Sequence, residues 1–70
     1  MAFKEDSLYK NILNFISKSD EPLETKEIVL KLKSTRIKIL YRLYNLRGDS
    51  RIRGKQVGSG KGAWIWWKHD

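Results

Sequence analysis

The stretch GSGKG at positions 58–62 combines glycines, a hydroxyl and a lysine, which are residue types that bind phosphate. A nucleotide-binding loop of the form G-x-x-x-x-G-K-[ST] needs a glycine five positions before its Gly-Lys pair and a hydroxyl after the lysine. Here those positions hold Lys55 and Gly62, and a strand-like run, AWIWW, follows in place of a helix. The stretch is therefore not predicted to hydrolyse nucleotides. Any phosphate that it contacts is expected to belong to a nucleic-acid strand.

A second group of polar residues recurs at helical spacing between positions 34 and 45. Arg42 can donate a forked pair of hydrogen bonds to guanine, Asn45 can pair with adenine, and Lys38 can reach guanine or a phosphate. Hydroxyls on the same segment suit phosphate oxygens, and they belong to Ser34, Thr35 and Tyr41. This face carries no acidic residue, whereas a merely solvated helix face usually mixes charges. The pattern favours a DNA-facing surface.

Cations, a hydroxyl and an aromatic ring surround the glycine-rich stretch. The predicted nucleic-acid contacts there are Arg53, Lys55, Ser59, Lys61 and Trp64. Glycines let the backbone approach phosphates closely. Trp64 lies nearest the tip and is predicted to be exposed, whereas Trp67 is predicted to pack in the core, because a small domain needs large apolar side chains there.

Charge is unevenly distributed along the 70 residues, whose formal net charge is +7. Residues 1–30 carry four lysines and six acidic residues, whereas residues 31–70 carry eleven lysines and arginines and two acidic residues. A domain with one strongly basic side suits a polyanion, and nucleic-acid binding explains the asymmetry better than solubility alone.

Composition argues against several other functions. The chain has no cysteine and a single histidine, His69, so it offers no thiolate or imidazole set for a metal and no nucleophile–base–acid set. We therefore expect neither an enzyme nor a bound cofactor. No apolar run approaches the roughly 20 residues that cross a bilayer, and no secretory leader pattern is present. The expected location is the cytoplasm, in association with the nucleoid.

Apolar periodicity predicts an α+β fold in a single domain, 1–70. The expected elements are helices at about 7–17, 25–33 and 35–47 and a two-stranded β-hairpin at about 51–68. Asp6 or Ser7 is the expected cap of the first helix and Thr25 that of the second. Gly48 is expected to end the third helix with a positive φ.

The third helix and the hairpin each have a predicted buried side. On the helix the core stripe is Ile39, Leu40, Leu43 and Leu46, with Ile37 and Tyr44 on its flank. In the hairpin, a turn centred on positions 59–60 pairs Lys55 with Trp64 and Arg53 with Trp66. The face with Ile52, Ile65 and Trp67 then packs on the helices, and the other face is basic and aromatic.

This order of elements resembles the winged helix-turn-helix domain, over about residues 7–68. The resemblance is carried by PLETKEIVLKL as the positioning segment, STRIKILYRLYNL as the recognition helix and RIRGKQVGSGKGAWIWW as the wing. Similar small proteins occur among archaeal regulators and the DNA-binding proteins of archaeal plasmids and viruses. The resemblance implies a regulator of transcription that binds double-stranded DNA, with the third helix in the major groove and the wing on the backbone or minor groove.

Two other functions and two assembly states stay open at this point. The domain could dock a protein through exposed Trp64 and Trp66, or it could bind RNA or single-stranded DNA by stacking bases on the same rings. A homodimer on DNA would have to use Tyr9 and Leu13 of the first helix, and a monomer is equally open.

Overall fold

The computed structural model describes residues 6–58 and 63–69 of the chain. Over these residues the elements are helices α1 (Ser7–Lys18), α2 (Thr25–Leu32) and α3 (Arg36–Gly48) and strands β1 (Leu23–Glu24), β2 (Ile52–Gln56) and β3 (Trp64–Lys68). This part of the chain is thus an α+β fold of three helices and a three-stranded antiparallel sheet of order β1-β3-β2. Each helix agrees with its predicted bounds to within one residue, but the sheet has one strand more than the predicted hairpin.

Helix α1 buries one apolar side and is tied to the end of α3 through a tyrosine. Asp6 caps the helix, because its Oδ1 accepts the backbone N–H of Tyr9 at 3.0 Å. Tyr9, Ile12 and Ile16 lie in the core, and the Tyr9 hydroxyl donates to Oδ2 of Asp49 at 2.7 Å. The prediction that Tyr9 offers a surface for a homodimer is therefore wrong, because its own chain encloses the side chain completely.

A short connection joins α2 to α3. The cap of α2 is Glu24, whose backbone N–H donates to Oε1 of Glu27 at 2.8 Å, and not Thr25 as predicted. The helix is closed by Lys33, which adopts the left-handed conformation with φ 54° and ψ 45°. Thr35 then caps α3, and its hydroxyl oxygen accepts a backbone N–H from the first turn at 3.3 Å.

Helix α3 ends at Gly48, where we predicted a positive φ. The left-handed residue is Ser50 instead, at φ 63°, and Asp49 before it has φ −83°. The backbone N–H groups of Asp49 and Ser50 donate to the carbonyls of Asn45 and Arg47 at 2.9 and 3.0 Å. These bonds satisfy carbonyls of the last helical turn, so Gly48 does not need a conformation reserved for glycine.

Strand β1 gives no recognisable signal in the sequence because it has only two residues. Leu23 pairs with Trp66 and Glu24 with Ile65. A period-two pattern cannot be read from two positions. The strand nevertheless joins the segment before α2 to the middle of the sheet.

Strand β2 pairs with β3 one residue out of the predicted register. Arg53 lies opposite Trp67, whereas we predicted it opposite Trp66. The cause is the connection between the strands, because the backbone N–H of Val57 donates to the carbonyl of Ala63 at 2.8 Å. The connection thus has an odd number of residues, and the prediction assumed an even number. A one-residue shift exchanges the faces of one strand relative to the other.

The shifted register reverses which tryptophan occupies the core. Trp66 is fully buried and Trp67 is half-buried, the opposite of the prediction. Trp66 covers its cross-strand partner Gly54, where an added Cβ would lie 2.4 Å from the indole ring. The indole N–H of Trp66 donates to Oγ1 of buried Thr25 at 2.9 Å. Trp66 therefore connects α2, β2 and β3 through one side chain.

The core contains residues from all three helices and from β2 and β3. Its buried apolar members are Tyr9, Ile12, Ile16, Ile28, Ile39, Leu43, Leu46, Ile52 and Trp66. Because α1, α2 and the sheet cover one side of α3, the other side of that helix is left facing solvent.

Candidate nucleic-acid interface

The outward face of α3 is apolar at its centre and basic at its edges. Ile37, Tyr41 and Tyr44 lie along it with 79%, 45% and 48% of their surface exposed. Their spacing of four and three residues stacks them on one side of the helix, and we call these three residues the exposed stripe. Exposed cations flank the stripe, and they are Arg36, Lys38 and Arg47. Since α3 carries no acidic residue, the positive charge of this face is not offset within the helix.

The exposed stripe corrects the predicted orientation of α3. The prediction that Ile37 and Tyr44 flank the core stripe is wrong. The buried residues of α3 are Ile39, Leu43 and Leu46. At about 100° per residue, the exposed stripe falls opposite them. The solvent-facing side is therefore centred on apolar and aromatic residues. Of the predicted contacts only Tyr41 lies at this centre, whereas Lys38, Arg42 and Asn45 lie toward the edge.

Arg42 is held by an acidic residue at the start of α1. Its Nη2 and Nε donate to Oδ2 and Oδ1 of Asp6 at 2.5 and 3.2 Å, and its Nη1 donates to the carbonyl of Lys38 at 3.2 Å. The Arg42 side chain is only 14% exposed. The forked pair of donors that we predicted for guanine is therefore engaged with Asp6.

The contact with Arg42 keeps Asp6 charged. Hydrogen bonding from Arg42, and then from the backbone N–H of Tyr9, lowers the pKa of the Asp6 carboxyl from 3.8 to about 2. The same bond raises the pKa of Arg42. Because each partner stabilises the charged form of the other, the pair is ionised at neutral pH and Arg42 adds little net charge to the surface.

The other predicted residues of the α3 segment differ in accessibility. Thr35 and Lys38 are exposed, whereas Ser34 and Asn45 are half-buried. The Thr35 hydroxyl oxygen accepts the N–H of Lys38, so the cap holds both residues at the N-terminal end of the outward face. Lys38 is thus the predicted cation of α3 that is exposed to solvent.

The C-terminal end of the exposed stripe joins an aromatic cluster, which we define as Tyr44, Trp64 and Trp66. The two indoles stack with ring centres 5.2 Å apart, and Tyr44 meets them edge-on at 6.1 and 6.0 Å. The Arg47 guanidinium lies 5.3 Å from the centre of the Trp64 ring, and its Nε donates to the carbonyl of Gly54 at 3.3 Å. Trp64 is therefore half-buried in these contacts, and the prediction that it is exposed is wrong. Aromatic and cation–π contacts hold α3 against β2 and β3.

Two predicted wing cations lie on the other face of the sheet. Arg53 and Lys55 share that face with Ile65 and Trp67, because side chains alternate along each strand. Lys55 lines a groove of about 380 Å³ beside the loop that follows α1, and Nη2 of Arg53 lies 3.5 Å from Nε2 of His69. The prediction that they share a face with Trp64 and Trp66 is wrong. The remaining predicted wing contacts, Ser59 and Lys61, lie outside the described residues.

Four residues of the outward face were missing from the residues predicted to contact DNA. They are Arg36, Ile37, Tyr44 and Arg47. A helical projection of α3 could have identified all four, because it places them opposite the buried residues or at the border of the exposed face. The sequence prediction placed Ile37 and Tyr44 near the core because they are hydrophobic, and it therefore missed their position on the exposed side of the helix.

Comparison of the chain with protein-family models and with curated proteins finds no match. Among the helices in residues 6–58 and 63–69, none is long and apolar enough to cross a bilayer. The same residues contain no group of three or more acidic or histidine side chains that could hold a metal ion.

Proposed function

We propose that this chain is a winged helix-turn-helix domain that binds double-stranded DNA and acts as a small transcriptional regulator. Three residues, 33–35, connect α2 to α3, and the β2–β3 pair follows. A connection of this length is typical of helix-turn-helix motifs, in which the second helix enters the major groove. In this arrangement α3 is the recognition helix, and the connection between β2 and β3 is the wing.

The outward face of α3 is the observation that carries the proposal. It is exposed along its length, it is free of acidic residues, and cations border it on both sides. The major groove is about 12 Å wide and admits a helix. A helix in that position brings its flanking cations to the phosphates on the groove walls, and the released counterions favour binding.

The cations are spaced to reach phosphates from both ends of α3. Arg36 and Lys38 lie in its first turn and Arg47 in its last. At about 1.5 Å per residue, Arg36 and Arg47 are roughly 16 Å apart along the axis. That distance is comparable with the groove width, so we assign backbone contacts to these three residues and to the hydroxyl of Thr35.

The wing has a smaller role than the sequence indicated. Ser59 and Lys61 stay predicted contacts to the backbone or minor groove. Arg53 and Lys55 lie on the sheet face opposite the aromatic cluster, so we assign them no contact with the duplex that α3 binds.

Two alternative functions depend on exposed aromatic rings. A protein-interaction module that docks through Trp64 and Trp66 loses its main support, because Trp66 is fully buried and Trp64 is half-buried. A single-strand binder would stack bases on Tyr41 and Tyr44. Competition among duplex DNA, single-stranded DNA and duplex RNA at equal ionic strength separates these functions, since the narrow major groove of A-form RNA excludes a helix.

The proposal is tested by measuring the affinity for duplex DNA as a function of salt concentration. Each phosphate contact contributes about −0.9 to the slope of log affinity against log salt. Arg36→Ala and Lys38→Ala should each flatten the slope by about 1. The matched control is Lys10→Ala, which removes an exposed cation from α1 and should leave the slope unchanged.

Two results would contradict the proposal. One is the absence of duplex binding by the folded protein at low salt, and the other is an equal change of slope in Lys38→Ala and Lys10→Ala. Selection of bound duplexes from a random pool then tests the regulatory role. An enriched motif supports a sequence-specific regulator, whereas salt-sensitive binding without enrichment indicates a packaging protein.

A further inference from the structure

The centre of the exposed stripe carries a side chain that phosphate binding does not require. Ile37 is 79% exposed and lies between Arg36 and Lys38 in the chain. A surface that only neutralises phosphates needs no isoleucine there. The major groove offers an apolar group to such a side chain, the C5-methyl of thymine.

We propose that α3 reads thymine methyl groups in the major groove through Ile37, with Tyr41 and Tyr44 continuing the contact along the exposed stripe. This inference rests on the proposed function and names the DNA feature that the same face selects. The sequence predicted that hydrogen bonds from α3 read purines. The present inference is instead that apolar side chains of α3 contact pyrimidine edges.

The two side chains predicted to read purines are poorly placed for that task. Arg42 donates its hydrogen bonds to Asp6 and to the carbonyl of Lys38. Asn45 is half-buried toward the edge of the helix. The side chains directed straight at the groove floor would therefore be those of the exposed stripe.

The stripe has a length and rigidity that suit a short run of base pairs. From Ile37 to Tyr44 the helix rises roughly 10 Å at about 1.5 Å per residue, which corresponds to about three base pairs at roughly 3.4 Å each. Ile37 is β-branched and therefore stiff at χ1. The Tyr44 ring is held edge-on against Trp64 and Trp66. Both side chains thus lose little conformational freedom when they bind.

Charge identifies the occupant of this face as a polyanion. The cations Arg36, Lys38 and Arg47 border the stripe, and α3 carries no acidic residue that would pair with a basic partner. A second copy of the chain would bring the same positive charge to the contact. Duplex DNA supplies both the phosphates for the cations and an apolar group for Ile37.

The test compares two DNA duplexes of the same sequence. In one of them each thymine is replaced by uracil, which lacks the C5-methyl group. The sequence is the one enriched from a random pool, and ionic strength is held constant. We expect the protein to bind the thymine duplex about fourfold more tightly for each contacted methyl, which corresponds to the usual free energy of burying one such group. Ile37→Ala should bring the thymine-to-uracil ratio close to one while keeping the salt dependence.

The matched control is Leu30→Ala, which removes an apolar side chain of similar exposure, 71%, from α2. It should keep the ratio of the unaltered protein. Because both substituted positions are exposed, circular dichroism should show native helix content for each variant.

Three results would overturn the inference. Equal affinity for both duplexes, with salt-dependent binding intact, contradicts methyl readout but is consistent with the proposed function. An equal loss of preference in Leu30→Ala and Ile37→Ala shows that Ile37 is not the contact. Sedimentation could also show a dimer that Ile37→Ala dissociates, while the protein has no preference for thymine. In that case the exposed stripe binds a second copy of the chain. Absence of duplex binding altogether contradicts the proposed function itself.

Discussion

Asp6 and Arg42 lie 36 residues apart in the chain and form a two-point ion pair that ties the start of α1 to the middle of α3. The same carboxylate caps α1 through the backbone N–H of Tyr9. Arg42 also bonds to the carbonyl one turn earlier in its own helix. A guanidinium with the donors to read guanine is thus used to hold α3 in place.

Because of the ion pair, the free energy of unfolding should depend on pH. The pKa of Asp6 lies at about 2 in the folded protein, below its ordinary value of 3.8, so the native state favours the ionised carboxyl. This contribution is complete above about pH 4 and is lost as the pH falls toward 2. The free energy of unfolding is measured in urea at pH 5 and at pH 2.5. Its decrease between the two pH values should be smaller in Asp6→Asn than in the unaltered protein.

Arg42→Met provides the second arm of that experiment. It keeps the carboxyl but removes the largest cause of its low pKa, so its loss of stability between the two pH values should also be reduced. If all three proteins lose the same stability on acidification, the ion pair does not contribute in this range.

Two cations on α3 should respond to substitution in opposite ways. Arg42→Gln should lower the free energy of unfolding, because it breaks the link to α1, and should leave the base preference unchanged. Lys38→Gln should change stability by no more than about 0.5 kcal/mol but should flatten the salt slope of DNA binding by about 1. A relaxed sequence preference in folded Arg42→Gln would show that Arg42 leaves Asp6 to read a base.

Thr25 should be important for stability through its hydroxyl. Thr25→Val is nearly isosteric but leaves the buried indole N–H of Trp66 without its acceptor. We expect a loss of about 1–3 kcal/mol in the free energy of unfolding, the cost of one unsatisfied buried donor. Thr25→Ser retains the oxygen and should lose less, so equal losses in the two variants would assign the effect to packing.

Gly54 should not tolerate even a methyl group. A Cβ there would approach the Trp66 ring to 2.4 Å, and we expect Gly54→Ala to destabilise the fold by about 1–3 kcal/mol, as overpacking usually does. The matched control is Gly48→Ala, since a Cβ at that position would meet nothing within 4 Å beyond its chain neighbours and the backbone of its own helix. Its expected effect is a gain of about 0.5–1 kcal/mol. Similar thermal shifts in the two variants would contradict the close packing of Trp66 on Gly54.

Local patterns were sufficient to locate the helices. Apolar periodicity predicts all three, and each observed helix begins and ends within one residue of its predicted bounds. These signals involve residues within one or two turns of each other. The basic character of the second half of the chain also follows from counting residues.

The sheet could not be derived in the same way. Its register depends on whether the connection after Val57 has an odd or an even number of residues. A change of one residue exchanges Trp66 and Trp67 between the core and the outer face. Strand β1 is held by its pairing with β3, and a two-residue segment has no pattern of its own.

For this protein, then, residue types and short-range spacing establish three helices, a glycine-rich ribbon and a positive charge concentrated after residue 30. The side chains that face a ligand depend on contacts between distant segments. Asp6 withdraws Arg42 from the surface, and the packing of α1, α2 and the sheet against one side of α3 leaves Ile37, Tyr41 and Tyr44 outside. Such contacts join residues tens of positions apart, and a local pattern contains no information about which partners meet.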